Sequence, residues 1–128
     1  MRKYSSEKAF TLIELLVVVA IISILASIAI PIYREQKIAA FNALARGDLN
    51  SIVIAQEAGF LDSSSYVACA DNTCNNTILP GFNFSEGVTG TCTLVSGGES
   101  YECGLNHQLG DRIYYYSHTG SYFWDTPR

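Results

Sequence analysis

Apolar side chains occupy nearly every position from Phe10 to Pro31, where only Thr11, Glu14, Ser23 and Ser27 are polar. A helix rising about 1.5 Å per residue needs about twenty such residues to cross the roughly 30 Å hydrocarbon core of a bilayer. The run therefore predicts a membrane-crossing helix. Beyond Pro31 the pattern changes without a break. Ile38, Phe41, Ala45, Leu49, Ile52 and Val53 recur at three- and four-residue intervals, which sets one apolar stripe along a polar helix. Arg34, Glu35, Gln36, Lys37, Asn42, Arg46, Asp48 and Asn50 are assigned mostly to its other faces. Pro31 removes one backbone hydrogen bond and is expected to bend the helix, and Gly47 weakens it by about 1 kcal/mol relative to Ala. Neither ends it. Gly59 is the expected C-terminal cap, which gives a helix of about fifty residues, on the order of 75 Å.

From Phe60 to Pro80 the composition shifts to Asp, Ser, Asn, Thr and Cys and reads as a surface loop region. Phe82-Asn83-Phe84 and Val88 to Val95, Ser100 to His107, Asp111 to Ser117, and Ser121 to Trp124 are then short runs rich in Thr, Val, Tyr and Phe. Tight turns at Gly97-Gly98, Gly110-Asp111 and Thr119-Gly120 make consecutive strands pair as an antiparallel meander. The expected fold class is α+β: a long N-terminal helix whose second half packs its stripe on a four-stranded antiparallel sheet.

The hairpin turn also orders the cysteines. Cys69, Cys74, Cys92 and Cys103 allow three pairings. A two-residue turn at Gly97-Gly98 pairs Ser96 with Glu99, and stepping back along both strands brings Cys92 opposite Cys103. Cys69 and Cys74 are left to close a small loop. The competing reading is a metal site of four thiolates, but gaps of four and ten residues lack the paired short spacings of zinc ribbons.

Glu14 is the anomaly of the apolar run. A charge at that depth costs about 2.5 to 3.5 kcal/mol or more and calls for a partner, yet Lys8 and Arg34 both lie outside the run. Cleavage between Ala9 and Phe10 would supply one, because the new α-amino group on Phe10 would lie one helical turn from Glu14. Lys8-Ala9-Phe10-Thr11-Leu12-Ile13-Glu14, the apolar stretch behind it and Pro31 resemble the N-terminal segment of type IV pilins and the related pseudopilins. The resemblance is close over roughly the first forty residues and general beyond them. It departs at Ala9, where the family usually has Gly.

The resemblance implies a pilin fold, cleavage before Phe10 by a prepilin peptidase, N-methylation of Phe10, and assembly roles for Glu14 and Pro31. It divides the chain into a leader (1–9), a transmembrane and filament-core helix (10–31) and a periplasmic or extracellular globular domain (32–128). It implies a single-pass inner-membrane protein, surrounded by lipid, that the inner-membrane assembly machinery builds into an extracellular filament of identical subunits, a fimbrium serving adhesion, twitching motility or DNA uptake. A pseudopilin of a type II secretion system and a minor pilin are the alternatives within the family. An ordinary signal peptide and a permanent anchor are the plainer readings, and neither explains a carboxylate inside the apolar run.

Charge and candidate chemistry change this picture little. The chain carries 8 basic and 12 acidic residues; without the first nine residues five and eleven remain, a balance of −6. No general basic footprint for nucleic acid exists, and such a partner would need a local patch in an assembled polymer. His107 and His118 stand near strand ends, away from any candidate nucleophile, and read as surface histidines. No phosphate-cradling loop, metal-ligand motif or cofactor motif is present, so catalysis has no support and a membrane-anchored enzyme is disfavoured. Tyr114-Tyr115-Tyr116 and Tyr122-Phe123-Trp124 place aromatics on both faces of the last strands, the commoner use of which is packing. Asn75-Asn76-Thr77 and Asn83-Phe84-Ser85 match the glycosylation triplet, a frequent chance pattern.

Overall fold

The computed structural model describes residues 9–75 and 78–128. Met1 to Lys8 of the expected leader, and Asn76 and Thr77 of the first glycosylation triplet, lie outside the described residues. The chain separates into two units, Met1–Gln36 and Lys37–Arg128. Helix α1, Leu12–Ser63, contributes to both.

In the first unit α1 is long and apolar enough to cross a membrane, and none of its most apolar window is buried within the chain. Its two serines do not interrupt the apolar surface, because Ser23 donates its hydroxyl to the Val19 carbonyl and Ser27 to that of Ile24. The helix runs through Pro31 uninterrupted.

The second unit is an α+β body. The segment of α1 from Lys37 onward packs on a sheet of five antiparallel strands in sequential order: β1 (Cys69–Ala70), β2 (Val88–Val95), β3 (Ser100–His107), β4 (Arg112–Ser117) and β5 (Tyr122–Pro127). The meander follows from short polar connections between runs of β-forming residues. Ala45, Leu49, Ile52 and Ala55 of the helix meet Val88, Cys92, Tyr101, Cys103, Leu105 and Tyr116 of the sheet. Alternation puts Tyr101, Cys103, Leu105 and His107 of β3 inward and leaves Glu102 on the outer face.

Five strands form rather than four because the supposed loop region contributes β1, with Cys69 opposite Cys92 and Ala70 opposite Thr91. A 3-10 turn at Asp71–Thr73 follows, and the Cys69–Cys74 disulfide closes it. Phe82-Asn83-Phe84 is not a strand; Phe82 is buried in the core and Phe84 packs against it at 5.0 Å, so aromatic packing rather than sheet pairing uses these rings. The helix also passes Gly59 and ends at Ser63, where Ser64 takes the left-handed φ of 56° and donates its N–H to the Phe60 carbonyl. Phe60 stacking on Tyr66 at 4.6 Å anchors that last turn. The β2–β3 connection is wider than two residues: Val95 pairs with Ser100, and Ser96, Gly97 and Gly98 all have positive φ. Its symmetry is unchanged, so Cys92 still faces Cys103, and the two form a disulfide.

Asn42 and Asp48, read as outward-facing, are buried. Both belong to a set of three polar side chains with which the helix holds three connecting segments. Asn42 donates to Asp111 Oδ1 at 2.6 Å and accepts the Asp111 N–H at 3.2 Å. Asp48 accepts the Ser85 N–H at 2.6 Å and the Ser85 hydroxyl at 2.9 Å. Gln56 donates to the Val67 carbonyl at 2.6 Å and accepts the Val67 N–H at 3.1 Å. Leaving such a buried partner unsatisfied costs about 1 to 3 kcal/mol, which is why polar residues stand on a face that the apolar pattern alone would assign to the core.

Candidate functional site

The start of α1 is built around one reciprocal contact. The Thr11 N–H and hydroxyl both donate to Glu14 Oε2 at 2.8 Å, and the Glu14 N–H donates to Thr11 Oγ1 at 3.3 Å. This is a capping box, with Thr11 as N-cap and Glu14 as the third helical residue. It satisfies two of the backbone donors that a helix start leaves open. Thr11-Leu12-Ile13-Glu14 carries that pattern in the sequence, beside the missing cation. Among the described residues no Lys or Arg forms an ion pair with Glu14.

Phe10 is four-fifths exposed and lines, with Glu14, Ile13, Val17 and Val18, a surface hollow of about 350 Å³. Phe10 and Glu14 thus share one side of the first turns. Ala9 directly precedes them and is exposed. Pro31 lies inside the helix. From Leu12 to Tyr33 the large apolar side chains are exposed throughout, Leu12 at 88% and Tyr33 at 67%. Among the described residues nothing covers this surface. Exposed apolar area of that extent marks a membrane or protein contact.

The four cysteines belong to the second unit. The residues opposite one another across the five strands are Cys69, Cys92, Cys103, Tyr116 and Phe123. All four sulfurs are in disulfides. Among the described residues no cluster of three or more His, Cys, Asp or Glu side chains that could hold a metal ion occurs.

Neither histidine is a simple surface residue. His107 is buried, stacked on Phe41 at 4.3 Å. The Leu109 N–H donates to its Nδ1 at 3.0 Å, so Nε2 carries the proton and donates to the Glu86 carbonyl at 3.1 Å. Both ring nitrogens hold loops and neither is free for chemistry. His118 is half-buried and lies 3.0 Å from the Tyr66 hydroxyl. Tyr66 donates to Glu57 Oε2 at 3.2 Å, and Tyr101 donates to Oε1 of the same carboxylate at 3.2 Å. Burial, and then the neighbouring Glu57 charge, raise both phenols above the ordinary tyrosine value. This cluster fastens the end of α1 to the sheet, and His118 Nδ1 lies 3.4 Å from the Ser100 hydroxyl, which itself lies 2.7 Å from that of Thr119.

Residues 4–30 match the family described as the prokaryotic N-terminal methylation motif. Two fimbrial proteins of Pseudomonas aeruginosa are each 40% identical to this chain over 65 residues, covering 51% of it and 42% of their own length. The chain thus spans less than half the length of these curated relatives. In its methylation motif, its likeness to fimbrial proteins and its one long apolar N-terminal helix with an antiparallel sheet after it, the chain is similar to type IV pilins.

Proposed function

We propose that this chain is the structural subunit of a type IV pilus, held in the inner membrane by the helix of residues 10–31 and then polymerised through that helix into an extracellular filament. The observation that carries the reading is the continuous exposed apolar surface from Phe10 to Tyr33, most of which lies within the methylation motif matched at residues 4–30. Lipid covers such a surface before assembly, and other copies of the same helix cover it afterwards. A prepilin peptidase cuts between Ala9 and Phe10, and methylation of the Phe10 α-amine keeps its charge. That cation then pairs with Glu14 of a neighbouring subunit. The two disulfides and the Pro31-Ile32-Tyr33 step favour a pilin over a pseudopilin.

Electron microscopy of sheared surface filaments, with intact-mass analysis of their subunit, tests this reading. The expected subunit begins at Phe10 and carries two disulfides and one N-methyl group. A filament subunit that retains Met1 to Ala9 would overturn it, because burying that charged leader in a packed helical core carries a desolvation penalty of several kcal/mol per ion.

A further inference from the structure

Four side chains able to ligate a metal ion meet at the end of α1. Glu57 stands in the last two turns of the helix, Tyr66 on the segment after it, Tyr101 on β3 and His118 just past β4. Their polar tips converge. The Tyr66 hydroxyl lies 3.2 Å from Glu57 Oε2 and 3.0 Å from His118 Nε2. The Tyr101 hydroxyl lies 3.2 Å from Glu57 Oε1, and His118 Nε2 is 3.7 Å from that same oxygen. Ligand atoms about 2.0 to 2.2 Å from a metal ion stand about 2.8 to 3.6 Å from one another, so these donors have the spacing of one coordination sphere. Among the described residues His, Cys, Asp and Glu alone make no such cluster; the two phenols complete it.

The hydrogen bonding leaves the centre of this cluster short of protons. The Ser100 hydroxyl lies 3.4 Å from His118 Nδ1 and 2.7 Å from Thr119 Oγ1. Donating to Thr119, it accepts the Nδ1 proton and leaves Nε2 with a free lone pair, the arrangement by which a partner on the far nitrogen orients a metal-binding histidine. Two phenolic protons then face three acceptors, Nε2 and both Glu57 oxygens. The side chains of Glu57 and His118 are 47% and 30% exposed, whereas Tyr66 and Tyr101 are buried, so an ion enters from solvent past the first pair and comes to rest on the second.

The donor set selects the ion. Three of the four ligands are oxygens and no free thiol is present among the described residues, which suits a hard cation. With both phenols ionised the oxygen ligands carry three negative charges and the imidazole none. A trivalent ion cancels that charge and a divalent ion does not, and a partly buried site holds uncompensated charge only at a large cost. Displacing two protons that phenols ordinarily keep up to about pH 10 also demands a highly charged ion. We infer that Glu57, Tyr66, Tyr101 and His118 form a binding site for ferric iron, with Ser100 as the residue that positions His118. Binding releases the two phenolic protons to solvent and changes no oxidation state. The assignment does not depend on filament formation.

The test titrates the full chain in detergent with ferric nitrilotriacetate. One iron binds per chain, and a phenolate-to-iron charge-transfer band appears in the visible spectrum. Tyr66→Phe and His118→Gln each weaken binding at least about tenfold, and Tyr66→Phe also lowers the band per bound iron, because one of two phenolates is gone. Tyr115→Phe changes neither, since Tyr115 lies on the face of the sheet opposite its buried neighbour Tyr116. Near-ultraviolet circular dichroism of the metal-free variants reports their fold; should Tyr66→Phe lose it, His118→Gln decides. Absence of the band overturns the assignment, as does unchanged iron binding by the folded variants. Displacement of the iron by an equal concentration of zinc(II) would mark a site for a softer divalent ion, and that too overturns it.

Discussion

Two phenols share one carboxylate at the end of α1, and the arrangement has a pH signature. Tyr66 and Tyr101 are raised above the ordinary value of 10.0 by burial and by Glu57. A group whose folded-state pKa is raised contributes stability that is fully present below the unfolded value and is lost as pH rises toward the folded one. Stability is therefore expected to fall from about pH 10 upward. Titrating the ultraviolet absorbance of the eight tyrosines should show Tyr66 and Tyr101 lagging the rest and ionising together with the loss of tertiary dichroism. A single ordinary step for all eight, with the fold intact, would contradict the cluster. None of this was legible in the sequence, since Glu57, Tyr66, Tyr101 and His118 meet only through tertiary packing. The buried state of His107, Asn42 and Asp48 escaped for the same reason: each looks outward-facing until the loop it binds is in place.

The elements divide differently. The helix, the last four strands and the β2–β3 register were readable because periodicity and turn chemistry are local and mutually consistent. Strand β1 was not, since two residues carry no alternation; it is defined only by its pairing of Cys69 with Cys92 and Ala70 with Thr91. The helix end was misplaced because glycine is one way among several to stop a helix, and Ser64 adopts the same left-handed φ. Glycine matters more inside the sheet. A Cβ at Gly90 would lie 2.6 Å from the Gly104 carbonyl oxygen and 2.5 Å from Leu105 Cγ. Backbone cannot step aside as a side chain can. Gly90→Ala is expected to destabilise the second unit by about 1 to 3 kcal/mol, measured by denaturant unfolding. A change below about 0.5 kcal/mol would mean that β2 and β3 separate more readily than their full ladder suggests.

For the whole molecule, Glu14 is a helix cap and, in the proposed filament, also an assembly charge, and a substitution can separate the two. Glu14→Gln does so, because glutamine at the third helical position still completes a capping box but cannot pair with a cationic amine. An uncompensated buried charge costs about 3 to 5 kcal/mol, so cells with this variant as sole subunit should show at least about a tenfold drop in filaments. Membrane insertion should persist. Normal filament numbers would leave the cap as the sole function of Glu14. In the proposed filament the disulfides have a further consequence under load. Cys92–Cys103 and Cys69–Cys74 bridge sequence separations of 11 and 5 residues, so the chain inside those loops carries no force and yields no slack. Stretched from its ends, the oxidised subunit is shorter by on the order of 50 Å than the reduced one, and single-molecule extension measures that difference directly. The bridges thereby limit how far a pulled subunit can lengthen even after its sheet has come apart.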